Sequence, residues 1–253
     1  MRITFPGVGE AFDARLANTC LLLEGADESS LLLDCGFTAA AAFWQHAADP
    51  LKLDAVCLSH FHGDHWFGLP WLLVRSIEEG RTANLTIIGQ EGVEERVRTL
   101  MDMAYPGTLD RAGFAVRFLT SAPDRMLDVA GTRLRFAASD HSVPCLAVRV
   151  RQDETDVFFS GDGRPTPQTE ALARGCAVVV HEAYAMDAAS PGHGTVERAV
   201  QLARNAGAET LALVHVQRTL RHEQMERLNE YVQDISDLRV LLPEPGEVLL
   251  VDV

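Results

Sequence analysis

Residues 55–65 run Ala55-Val56-Cys57-Leu58-Ser59-His60-Phe61-His62-Gly63-Asp64-His65. An apolar run ends, and three imidazoles and one carboxylate follow within six positions. Polar groups that dense cannot be buried without partners except at a cost. Imidazole nitrogen and carboxylate oxygen are the donors that zinc and related ions take. The spacing predicts a short buried strand, Asp54–Leu58, that delivers the cluster at its end. A turn at Gly63 lets His60 and His62 face one ion while Asp64 and His65 face a second.

On either side of that stretch the chain alternates strands and helices. Arg2–Val8, Thr19–Glu24 and Ser30–Asp34 are apolar runs broken by Gly and Asp, which predicts strands. Thr38–Ala48 is alanine-rich and predicts a helix capped by Thr38, with Pro50 as its stop. Leu69–Glu79 and Gln90–Met103 predict helices flanking a strand at Leu85–Gly89. Gly113 to Ser160 is strand-dominated, with runs at Ala115–Leu119, Arg133–Ala137, Cys145–Val150 and Asp156–Phe159. Beyond it, helix Pro167–Arg174 leads to strand Ala177–Val180, and helix Val196–Ala206 to strand Thr210–Val214. Helix His222–Val232 leads to strands Leu238–Leu242 and Glu247–Val251. No linker or low-complexity stretch interrupts this order, and no repeat of fixed period runs through it. It predicts one α+β domain over residues 1–253: two central β-sheets packed together and flanked by helices, a four-layer αβ/βα sandwich.

The composition sets limits on function. The chain has 253 residues, 47% hydrophobic and 23% charged, which supports a substantial core. No apolar run is long enough to span a bilayer, and the N-terminus has no signal-peptide pattern. A cytoplasmic protein with no membrane partner is the expectation. Five cysteines at wide spacings, with no CxxC pair, argue against a disulfide framework and for buried reduced thiols. The formal charge is −14, from 22 basic and 36 acidic residues, and Lys52 is the only lysine. Nucleic-acid binders neutralise phosphates with basic patches, so the mean field here opposes a polyanion.

The HxHxDH run resembles that of the metallo-β-lactamase superfamily of binuclear metal hydrolases. That family adds three ligands at strand ends, in the order His, Asp, His. Here His141 stands in Ser139-Asp140-His141-Ser142, Asp162 in Ser160-Gly161-Asp162-Gly163, and His215 after Leu211–Val214. The resemblance implies the metallo-β-lactamase fold and two divalent ions, zinc first and manganese or iron as alternatives. His60, His62 and His141 would hold one ion; Asp64, His65 and His215 the other. Asp162 would bridge them, with a water or hydroxide completing the bridge. Asp64 would have a second role in delivering the nucleophile.

A narrower resemblance, to the ribonuclease Z branch, rests on Met1–Gly7, Asn18-Thr19, Leu33-Asp34-Cys35-Gly36, Ser59–Leu73, His181-Glu182-Ala183 and His193-Gly194-Thr195. It implies that His193 contacts the scissile phosphate or protonates the leaving oxygen, and that Glu182 orients His193. Taken without the resemblance, Glu182 reads as a surface carboxylate after a buried strand, and His193 as a residue at a helix start. His46, His181 and His222 read as structural or exposed. The branch's tRNA-gripping arm lies between the third-motif histidine and the bridging aspartate. Only Ser142–Gly161 separates them here, too little for an arm. A small-molecule phosphodiester is therefore the expected substrate, in preference to tRNA. Lactone, thioester and β-lactam hydrolysis are alternatives that the metal ligands do not exclude. A metal-binding regulatory protein with little catalysis is a third. Trp66, Phe67, Leu69, Pro70 and Trp71 form an apolar cluster beside the metal loop, suited to a homodimer interface or to a pocket wall.

Overall fold

The computed structural model describes residues 1–187 and 190–251. Two seven-stranded sheets face each other. The first holds, in spatial order, β14 (Glu247–Leu250), β1 (Arg2–Gly7), β2 (Cys20–Glu24), β3 (Ser30–Leu33), β4 (Ala55–Cys57), β5 (Leu85–Gly89) and β6 (Val116–Thr120). The second holds β13 (Arg239–Leu241), β12 (Thr210–Val214), β11 (Val178–Glu182), β10 (Thr155–Phe159), β9 (Leu146–Gln152), β8 (Thr132–Ala138) and β7 (Met126–Val129). Both follow one pairing scheme. From β14 to β3 and from β7 to β10 each step is antiparallel. From β3 to β6 and from β10 to β13 each step is parallel.

Strands buried on both faces read as continuous apolar runs, because the pleat sends successive side chains to opposite sides. In β2, Leu21 and Leu23 enter the core between the sheets, while Cys20 and Leu22 face the outer helices. In β10, Val157 and Phe159 point inward and Phe158 outward; in β11, Val178 and Val180 point inward and Val179 outward. The outer layers are α1 (Ala39–His46), α3 (Leu69–Glu78) and α4 (Val93–Ala104) on the first sheet, represented by Phe43, Leu72 and Val97. On the second they are α5 (Pro167–Ala173), α6 (Val196–Ala206), α7 (Arg218–Glu223) and α8 (Met225–Gln233), represented by Ala173, Val200, Leu220 and Leu228. A further short helix, α2 (Gly63–Trp66), follows β4. The four-layer sandwich is thus observed. Among the described residues no helix is long and apolar enough to cross a membrane.

Three local expectations need correction. Thr38 does not cap α1 with its side chain. Its hydroxyl donates to Asn18 Oδ1 at 2.7 Å and accepts from the Asn18 N–H at 2.8 Å, tying the loop before β2 to the helix start. The expected helix His222–Val232 is two helices that divide at Gln224, and the first begins at Arg218, where Gln217 Oε1 accepts from the Thr219 and Leu220 N–H groups. Strand β7 has no counterpart among the strands that the sequence pattern predicts. It pairs with β8 across Ala130-Gly131, both at positive φ, a hairpin turn usually announced by Asn or Asp rather than Ala.

Candidate metal centre and catalytic residues

The parallel strands of both sheets carry the site at their C-terminal ends, a geometry that brings loops from different strands together. Asp34 follows β3, the His60–His65 run follows β4, Asp162 follows β10, Glu182 ends β11 and His215 follows β12. His62 has extended backbone, and its ring lies 4.8 Å from that of His60, two residues before it. The chain then turns into α2, which carries Asp64 and His65 in another direction. Trp66 Nε1 donates to Phe61 O at 3.0 Å and closes this loop. The loop packs so tightly on the one after β3 that a Cβ at Gly36 would collide with the Asp64 carbonyl.

The donor atoms gather into two sets within which all lie within 4.8 Å of one another: His60, His62, His141 and Asp162, and Asp64, His65, Asp162 and His215. Asp162 belongs to both. Its Oδ1 is 3.4 Å from His65 Nε2, and its Oδ2 is 3.5 Å from His215 Nε2 and 4.0 Å from His141 Nε2. The neighbouring Gly163 has φ +117, a conformation open to glycine that aims its N–H at Glu182.

Hydrogen bonds at the outer nitrogens set which imidazole atoms face the centre. Asp34, 0% exposed, accepts from His65 Nδ1 and from the Ser59 hydroxyl, each at 2.8 Å. The Ser59 proton is spent on Asp34, so its oxygen accepts from His60 Nδ1 at 3.0 Å. His141 Nδ1 donates to Gly192 O at 2.6 Å. Each of the three rings therefore turns Nε2 toward the centre. His141 Nε2 lies 3.1 Å from His62 Nδ1.

Among the described residues, His60 Nε2, His65 Nε2 and His215 Nδ1 are buried without a hydrogen-bond partner. Leaving a buried polar atom unsatisfied costs about 1–3 kcal/mol. For His60 and His65 the orphaned atoms are the inward Nε2 nitrogens. Divalent cations would satisfy them, so these residues fit a metal site. The electrostatics agree. Burial favours the neutral His60 imidazole and, with the neighbouring histidines, pushes its pKa well below 6.5, which keeps the lone pair free. Burial also opposes charge on His65 and His215, but Asp162, with Asp34 or Asp64, outweighs it. His65 is raised well above 6.5 and His215 to about 9. Both shifts report a field that attracts cations. Cys145 Sγ lies 3.6 Å from His60 Nδ1, yet burial pushes its thiol up to about 12, so it stays protonated. All five cysteines are free and buried, as expected.

Glu182 is no surface carboxylate: it is 1% exposed. Its Oε1 accepts from the Gly163 and Gly194 N–H groups, each at 2.8 Å, and from His193 Nδ1 at 3.2 Å; its Oε2 accepts from the Tyr184 N–H at 3.2 Å. Burial lowers the basicity of His193, but the Glu182 hydrogen bond and charge outweigh it and leave the imidazole raised above 6.5. His193, Glu182 and His215 form a third group beside the two metal sets. Gln217 caps α7, and Arg218 pairs with Glu10 at 2.6 Å. His46, His181 and His222 lie outside all three groups.

The sequence reading did not assign a site role to Asp34 or Tyr184. Asp34 was visible as the carboxylate that ends an apolar strand before Cys35-Gly36. Tyr184 gave no signal.

Comparison with known proteins places this geometry among relatives. A family model described as "Anti-Pycsar protein Apyc1" matches residues 1–234. Ribonuclease BN of Escherichia coli O1:K1 / APEC is 30% identical over 85% of this chain and 89% of its own length. The metallo-β-lactamase fold protein YhfI from Bacillus subtilis superposes with TM-score 0.79 at 22% identity, over 98% of each chain. Human tRNase Z, short form, superposes with TM-score 0.80 at 20% identity, over 100% of each chain.

Proposed function

The chain belongs to the metallo-β-lactamase superfamily, in its ribonuclease Z-like branch and the Apyc1 family of anti-Pycsar proteins, and from that premise we propose that this phosphodiester hydrolase acts on small phosphodiesters, cyclic nucleotides among them. The observation that carries this reading is the His193–Glu182 pair. It sets a buried carboxylate behind an imidazole whose ring lies beside both donor sets, where a leaving oxygen needs a proton. Thioester hydrolysis has no comparable need for a positioned acid, since a thiolate departs more readily than an alkoxide.

In this reading His60, His62, His141 and Asp162 hold one divalent ion, and Asp64, His65, Asp162 and His215 hold the second. Zinc is the first choice, with manganese or iron as alternatives. Bound there, the ions would polarise the phosphoryl oxygens and acidify the attacking water. Asp64, a member of the second set, would help to deliver the attacking water. His193 donates one to the departing oxygen through Nε2, while Nδ1 stays on Glu182.

A polymer is the weaker substrate class. His141 and Asp162 are joined by a hairpin whose turn is only Asp153-Glu154, between the end of β9 and the start of β10. No arm projects there to hold an RNA, and the net charge of −14 opposes one. The deciding experiment measures turnover of bis(p-nitrophenyl) phosphate, 2′,3′-cyclic nucleotides and an extended tRNA precursor. The protein is loaded separately with zinc and manganese, with Asp162→Ala alongside. Metal-dependent turnover of the small esters, lost in the variant, is the expected result. No small-ester turnover from protein shown to hold metal would reject the proposal, and efficient cleavage of the precursor alone would return the chain to RNA processing.

A further inference from the structure

Tyr184 lies in the loop after β11, two residues beyond Glu182, and its ring stacks on His193 with centroids 4.6 Å apart and planes 23° from parallel. The ring is half-buried and also approaches His215, at 6.4 Å. Its backbone is fixed at both ends: its N–H donates to Glu182 Oε2, and its carbonyl accepts from the Gln217 N–H at 3.2 Å. Tyr184 and His193 lie near the two ends of the connection from β11 to α6, and those ends are laced together: the Val196 N–H donates to Ala185 O at 2.8 Å and Ala185 bridges Thr195. The hydrogen bond that His193 Nδ1 donates to Glu182 fixes one atom of the imidazole, and His215 stacks on the ring more distantly, with centroids 5.9 Å apart. Tyr184 is the nearer of the two stacked rings and limits rotation about that hydrogen bond.

We infer that Tyr184 is a positioning residue that holds His193 in the plane from which Nε2 meets the leaving oxygen. The inference rests on the assignment of His193 as the proton donor. The contribution comes from the face of the ring, so the phenolic oxygen is dispensable. Small misplacement of a reacting group can cost up to about a hundredfold in rate. The penalty should appear in kcat and leave KM nearly unchanged. It should also be larger for a poor leaving group, which needs the proton more.

The test uses metal-loaded full-length enzyme with bis(p-nitrophenyl) phosphate and diphenyl phosphate, a good and a poor phenolate leaving group. The variants are Tyr184→Phe, Tyr184→Leu, Tyr184→Met, His193→Ala and the double variant Tyr184→Leu with His193→Ala. Metal content and thermal midpoint are measured for each. Phe should retain activity within about twofold. Leu and Met should lose about tenfold in kcat on diphenyl phosphate, less on the nitrophenyl ester, with metal content unchanged. The double variant should be no slower than His193→Ala, because two residues acting through one proton transfer are not additive. Full activity in Leu and Met would overturn the inference, as would losses that multiply in the double variant. A fully active His193→Ala would remove the proton-donor assignment itself and the inference with it, an outcome read from that single variant.

Discussion

Asp34 sets the state of two imidazoles with one carboxylate. It accepts directly from His65, and through Ser59 it fixes His60, so removing it releases both Nε2 atoms from their aim. Its backbone is left-handed, φ 61, a conformation that Asp tolerates better than most residues. His215 shares that conformation, φ 53, which costs about 1–3 kcal/mol outside glycine and persists only where the surroundings enforce it. Such outer partners of metal ligands typically contribute 10–100-fold in metal affinity. Asp34→Asn is expected to weaken zinc binding by about 10–100-fold, measured by competition with a chromophoric chelator. Unchanged affinity would mean that the imidazoles keep their orientation without it.

At the scale of the strand, position along the pleat decides what a substitution costs. Phe159 is 1% exposed at the inner face of β10, three residues before Asp162. Phe159→Ala should lower unfolding free energy by about 3–5 kcal/mol in urea titration, through lost burial and the cavity left behind. Met126, 49% exposed on the edge strand β7, buries far less, and Met126→Ala should stay within about 0.5 kcal/mol. Equal costs would mean that the inner face of β10 does not carry the core. The aromatic cluster beside the metal loop divides by the same logic. Trp66 and Leu69 are buried against the first sheet, whereas Phe67 and Trp71 remain 49% and 41% exposed, so only the latter two are free to meet a partner or substrate.

At the scale of the whole molecule, the proposed metal site would couple occupancy to stability. Without metal, His215 is held to about 9 chiefly by Asp162 against the opposing effect of burial. A histidine raised in the folded state contributes its full stabilisation below 6.5 and loses it as pH rises through the folded value. Between pH 6.5 and about 9 the metal-free protein should therefore lose stability, while the metal-loaded protein, whose cations replace those protons, should not show that slope. Thermal melts with and without chelator check this. Saturating metal should also add about 2.7 kcal/mol at a hundredfold excess over Kd. A metal-loaded melting curve with the same pH slope would show that the protons, not the cations, balance Asp162.

The sequence by itself determined the sandwich and pointed to the residues of the candidate metal cluster. Alternation and apolar runs are local consequences of the pleat, so Leu21–Leu23 and Val157–Phe159 announce strands covered on both faces wherever they pack. A dense HxHxDH run is likewise local, and its likeness to a known family located His141, Asp162 and His215. Ala130-Gly131 escaped because its turn lacks the usual polar residue, and the break at Gln224 because nothing in the local pattern marks it. Only the tertiary structure decided that Asp34 commands two imidazoles, that Glu182 is buried beneath His193, and that Tyr184 lies against it. The Asp34 contacts join the ends of β3 and β4, while Glu182, Tyr184 and His193 meet because the single connection from β11 to α6 folds back on itself; burial and ring stacking come from that folding and not from the local sequence pattern.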